Sequence, residues 1–310
     1  VAERGLSGID ALLASPAGDF PMLDREEYVE QAYFFRALRE RLEMSTPVQE
    51  VLAGIREEIL TTTRLPMAID FLLGELQLKG QIGTAMARLG HYFSPFQTFI
   101  IRRAEDDSAR LDFAVALKIL EHEAHYRTED TIQPAALFVY QFECLARNRL
   151  GYDAGLTAIA QDSAYDQNWK AWINRCRFDL GTVEFADLVY SRSQQSLNDL
   201  RRQRKDPELP APVPVLFDAQ AGRIARANQG KDPLYMFAAL QRQLGYPAVP
   251  RPAPSQQSTR LPPHLEIRLQ RMESRLTLVE QEQRGGINLT EFYQKNPISE
   301  APPDAGDRTD

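Results

Sequence analysis

Two histidines and three carboxylates lie close together in the run EHEAHY (121–126) and at Glu143 on the next helical stretch. Carboxylates and histidines that project between facing helices can hold a pair of iron or manganese ions. Such an ion would make a nucleophile of a bound water. The spacing does not match that use. Paired-ion bundles take Glu-x-x-His, usually twice, whereas Glu121 and His125 are four apart with no second copy. His122 and His125 are three apart, which is not the HExxH spacing of a zinc helix. At about 100° per residue, Phe113, Leu117, Leu120 and Ala124 form the main apolar face. His122 falls nearly opposite, Glu121 and His125 lie on one flank, and a thinner stripe of Val115, Ile119 and Tyr126 runs close to His122. Glu121, His122, His125 and Glu143 are therefore read as helix-surface groups first and as metal candidates second.

No other residues offer a better centre. His91 sits in a helix-exit turn and His264 precedes the coiled-coil seam that begins at Leu265. Neither Cys144 nor Cys176 lies at a helix start, where a thiol would become acidic. No serine has the strand-turn-helix motif of a nucleophile elbow. There is no GxxxxGK[ST] loop and no GxGxxG after a strand, so a nucleotide has no visible cradle. Catalytic and cofactor-binding residues are accordingly assigned to none. The basic run Arg201, Arg202, Arg204 and Lys205 closes a helix, where positive charge is favourable in itself. It lacks interleaved aromatics, and the net charge of −7 argues against nucleic acid or an anionic membrane as partner.

The elements that would position these groups are helices. LDFAVALKILEHEAHYRTEDTIQPAALFVYQFECLARNRLG (111–151) reads as two helices, apolar on more than one face and so covered on both sides. Pro134 opens the second and Gly151 follows its end. Upstream, Asp24 caps a helix whose stripe is Tyr28, Phe35 and Leu42, widened by Phe34 and Leu38. TPVQ at 46–49 and SPFQ at 94–97 both read as capping boxes with proline in the first turn. RLGHY, RLGY and QLGY (88–92, 149–152, 243–246) read as repeated glycine exits with an aromatic folding back. Their unequal spacing fits no repeat family. Trp169 and Trp172 face inward from a helix ending at Gly181, and Thr182 caps a long helix reaching Arg204.

Composition changes at Asp206. PELPAPVP is an extended linker, since proline fixes the backbone and removes donors. VLFDAQAGRIARAN reads as a hairpin about an Ala-Gly turn, followed by a helix from Asp232. Residues 215–246 resemble the opening strands of a PAS sensor domain. A proline-rich stretch follows at once, so neither fold nor function is carried over. After the second linker (250–263), Leu265, Leu269, Met272, Leu276 and Val279 step by four and three as a heptad seam. A helix this short gains its stability by pairing.

The expected fold is all-α: an irregular helical bundle or α-solenoid (23–204), a small hairpin-plus-helix element (215–249) and a coiled-coil helix (264–284). Residues 1–22 form a leader and 285–310 a tail. Two isolated thiols make no disulfide framework and fit a reducing compartment, so the location expected is cytoplasmic. The expected function is a non-enzymatic scaffold or adaptor that meets a protein partner, or itself, through the heptad seam. The alternatives are a metal-dependent helical-bundle enzyme using Glu121, His125 and Glu143, and a helical sensor of an apolar ligand near Trp169 and Trp172.

Overall fold

The computed structural model describes residues 22–106, 111–129 and 132–251. The chain divides into units 1–252 and 253–310, and every described residue belongs to the first. The heptad seam, His264, the leader up to residue 21 and the tail lie outside the described residues.

Among the described residues there are thirteen α-helices and no strand. They are α1 (Arg25–Glu43), α2 (Val48–Glu58), α3 (Leu65–Lys79), α4 (Ile82–Arg88), α5 (Pro95–Glu105), α6 (Phe113–Tyr126), α7 (Pro134–Asn148), α8 (Tyr152–Ala160), α9 (Gln167–Asp179), α10 (Phe185–Ser191), α11 (Gln194–Arg204), α12 (Ala219–Ala227) and α13 (Pro233–Leu244). None is long and apolar enough to cross a membrane.

The most extensive helix pairing is α1 on α6, two elements far apart in the chain. Helices α1–α3 pack on one another, α5 joins α6 and α8, and α7 contacts α8 and α13. Both apolar stripes of α6 are covered: Leu117, Leu120 and Ala124 are buried, and so are Ile119 and Tyr126. Helix α7 is sealed almost all round, with Ala136 through Leu145 buried without a break. Its polar members therefore need partners inside the fold.

The two capping boxes part company. Ser94 Oγ accepts from Gln97 N at 3.2 Å and Gln97 Oε1 accepts from Ser94 N at 3.1 Å, closing the box on α5. In TPVQ the N-cap is Pro47 and no side chain caps the helix. Asp24 is the N-cap of α1, but its backbone carbonyl, not its carboxylate, takes the first amides. Gly245 ends α13 in the left-handed region (φ 73°). At RLGY that role falls to Arg149 (φ 54°), and Gly151 instead caps α8. At RLGHY the C-cap is Leu89, with φ −98°.

Two further expectations need correction. The long helix from Thr182 is two helices, α10 and α11, because Ser193 turns the chain and caps α11 by accepting from Ser196 N. The hairpin expected at 215–228 is helix α12. Asp218 accepts from Ala221 N at 2.6 Å and caps it, and Ala, Gln and Arg in AQAGRIARA are good helix formers. The glycine read as a turn, Gly222, is a close-approach position: a Cβ there would sit 2.2 Å from Ser193 Oγ. Phe217 N and Leu216 N donate to Arg192 O, and Gln194 N donates to Phe217 O, fixing this segment to the α10–α11 junction. Phe217, Ala221, Met236, Phe237 and Tyr246 then share one core with the earlier helices.

Candidate functional site

The residues singled out from sequence do not converge. Glu121 faces α1, where it pairs with Arg39 at 3.2 Å. His122 bonds through Nδ1 to the Ala248 carbonyl at 2.9 Å, and His125 is exposed. Glu143 is buried under the chain that leaves α13: it accepts from Arg147 Nε and, at 2.7 Å, from Tyr246 OH. Among the described residues no group of three or more His, Cys, Asp or Glu side chains could hold a metal ion. Metal ligation by Glu121, His125 and Glu143 would require each to leave an existing partner or surface position.

Trp169 and Trp172 are 6 % and 3 % exposed, and the space around them is occupied. Phe138 lies 4.8 Å from Trp172 and 5.7 Å from Trp169 between ring centres, and Phe217 lies 5.3 and 5.2 Å from the same two. Phe142, Phe185 and Phe237 continue the stack. Both thiols are buried within helices. Burial pushes Cys144 well up and Cys176 up to about 12, so neither presents a thiolate.

The concentrated ionisable chemistry lies one residue inward from the histidines. Glu123 and Arg127 fall on the apolar stripe of α6, four residues apart, and are 0 % and 3 % exposed. Arg127 Nη2 donates to Glu123 Oε1 at 3.0 Å. It also donates to Asp162 Oδ2, and Nη1 reaches Asp162 Oδ1 at 3.4 Å. The α8–α9 turn presents Asp162, whose Oδ1 also accepts from Ala164 N at 3.0 Å. From α7, Gln141 donates to Glu123 Oε1 at 2.7 Å and accepts from Tyr165 OH at 2.7 Å. The Arg127 guanidinium lies over the Tyr28 ring at 5.8 Å. Four elements thus meet around one buried guanidinium.

Burial works against the Arg127 charge, but the Asp162 and Glu123 carboxylates outweigh it and hold the guanidinium well above its usual range. Burial pushes Glu123 the other way, above the usual carboxylate range, against the pull of Arg127. A second polar chain adjoins the first. Glu27 accepts from Arg64 N and Tyr92 OH, each at 2.9 Å, and Gln31 links Tyr92 O to Gln97. A cavity of about 30 Å³ lies between the two chains, lined by Tyr28, Tyr92, Gln97, Arg127 and Asp162 among others. On the outer side, Tyr28 and Arg127 border an open recess of about 480 Å³ with Arg25 and Glu129 among its lining residues.

Sequence reasoning passed over Glu123 and Arg127 because the flanking histidines looked more reactive. The signal was their register. Both continue the face of α6 that runs through Ala116, Leu117, Leu120 and Ala124, where an ion pair must be buried. No family of known proteins, no curated protein and no solved structure matches this chain.

Proposed function

We propose that the protein is a non-catalytic helical adaptor: a packed helical body, with the heptad segment 265–279 pairing with a protein partner or a second copy of itself. The observation that carries this reading is how the body disposes of its reactive groups. Glu27, Glu123, Glu143 and Asp162 are all buried, and each is hydrogen-bonded inside the fold. In this reading the four are structural groups of the packed interior. Two exposed aromatics support a contact surface on the body. Phe178 is 77 % exposed at the end of α9. Arg177 bonds Asp153 at 2.7 Å, tying α9 to the start of α8, where Tyr152 is also exposed.

The sequence pattern supports the reading: Leu265, Leu269, Met272, Leu276 and Val279 have the spacing of a pairing helix, and the proline-rich run PRPAPSQQSTRLPP has the composition of a tether. Light scattering on a sizing column tests the self-pairing arm. The reading expects the full chain to rise above 35.2 kDa with concentration, or to take up a partner at fixed stoichiometry. A chain ended after Pro250 loses that behaviour. A full chain that stays monomeric and binds nothing contradicts the reading.

A further inference from the structure

Residues 192–231 carry eight Lys and Arg against four Asp and Glu, in a chain whose net charge is −7. The negative charge therefore gathers outside this stretch. Favourable charge at a helix end accounts for the cations that close α11. It does not account for how α12 is set against them. Gly222 lies against Ser193 and Gln195 at the start of α11, and Arg226, one turn on, reaches Asp199 Oδ2 at 2.7 Å. The two helices thus run side by side in one direction, and the arginines of α12 stand beside those of α11.

Asp199 draws the two sets together. Its side chain is 13 % exposed and accepts from Tyr190 OH and Gln195 Nε2, each at 2.9 Å. Arg226 binds one carboxylate oxygen, and Arg202 stands 3.8 Å from the other. The Arg226 guanidinium also lies over the Tyr190 ring at 6.0 Å. One carboxylate so gathers two guanidinium groups and cancels the charge of one. The Arg226 and Arg202 side chains are 58 and 79 % exposed. Among the described residues Arg226 gives one Nη nitrogen to Asp199, and the Arg202 guanidinium makes no hydrogen bond. Both keep N–H groups for an acceptor from outside. Arg223 is exposed one turn before Arg226 and lengthens the row.

We propose that Arg202, Arg223 and Arg226 form a docking strip for an acidic polypeptide segment, whose Asp or Glu carboxylates the Arg202 and Arg226 forks take up. A guanidinium fork meets a carboxylate through two parallel hydrogen bonds. Asp199 and Tyr190 hold Arg226 before the ligand arrives, so less freedom is lost on binding. A nucleic acid fits this surface less well. Base stacking needs an open aromatic face, and the Tyr190 ring lies under Arg226. A long polyanion would also run from the strip onto the acidic remainder of the protein, which repels it. A short acidic segment meets the strip alone. The strip shares with the adaptor reading only that the ligand is a protein. It lies on the helical body, so its failure leaves pairing through 265–279 standing, and the reverse holds too.

The test is fluorescence anisotropy of a short labelled poly-glutamate peptide titrated with the full chain. Binding is expected at low salt and should weaken steeply as salt rises. Arg223→Glu should weaken it about tenfold. Lys118→Glu, the same change in net charge at an exposed position on α6, should leave it within about twofold. Arg202→Lys combined with Arg226→Lys keeps every charge but removes both forks, and should weaken binding about threefold or more. Thermal melts of each variant should stay close to wild type, since the replaced side chains are exposed. No peptide binding at low salt overturns the proposal. Equal loss in Lys118→Glu overturns it as well, because net charge alone would then be at work. Full binding by the double lysine variant removes the forks from the account. A thymidine oligonucleotide bound more tightly than the peptide would reassign the strip to nucleic acid.

Discussion

Arg127, the C-cap of α6, and Asp162 of the α8–α9 turn meet through both ends of the guanidinium fork with their side chains each 1 % exposed. This contact joins the central helix to a turn 35 positions further along the chain. A buried ion pair is weak evidence of net stability, because desolvation of both charges offsets their attraction. Its value lies in specificity: the packing of α6, α7 and the turn brings Arg127 Nη2 to both Glu123 and Asp162, while the buried Arg127 Nε has no partner among the described residues.

Removing the cation should be severe. Arg127→Met leaves Asp162 as an uncompensated buried charge and is expected to lower the unfolding free energy by about 3–5 kcal/mol, read from urea melts. Arg127→Lys keeps the charge without the two-pronged contact and should fall between.

The two box-like sequences should respond differently although they look alike. Ser94→Ala removes an observed cap on α5 and is expected to cost about 1 kcal/mol. Thr46→Ala touches no cap on α2 and should stay within about 0.5 kcal/mol of wild type in the same melts.

A glycine pair makes a similar contrast. Gly222→Ala forces a methyl group against Ser193 and Gln195 and should destabilise by about 1–3 kcal/mol. Gly74→Ala, in α3 with nothing within 4 Å of the new carbon, should stabilise by about 0.5–1 kcal/mol. Paired thermal melts would read both signs.

Tyr246 anchors the chain after α13, its hydroxyl lying 2.7 Å from Glu143 Oε2 and 3.0 Å from the Phe237 carbonyl. Tyr246→Phe is expected to cost about 1–2 kcal/mol. Amide exchange should quicken in the segment after Gly245, where His122 and Asn148 hold the Ala248 and Pro250 carbonyls.

Much of the helical body was legible because its signals are local. Ser94 with Gln97, Pro134 and Gly245 mark helix ends by geometry that acts within a few residues. Local signals also misled where a neighbour intervened. Pro47 took the cap position from Thr46, and Asp218 began a helix where Ala-Gly had suggested a turn. Gly222 could not be understood from sequence, because the side chain that requires it belongs to Ser193. The buried cluster was half legible. Glu123 and Arg127 announce themselves by register on an apolar face, but Asp162 and Gln141 reach them only through the packing of other helices.

The central claim, an adaptor body with a tethered pairing helix, is tested most directly by quantitative pull-down from native lysate, comparing the full chain with one ended after Pro250. The account predicts a partner, or a second copy, recovered at fixed stoichiometry with the full chain and lost on truncation. Equal recovery by both chains would place the binding surface elsewhere, and recovery of nothing by either would contradict the adaptor reading outright.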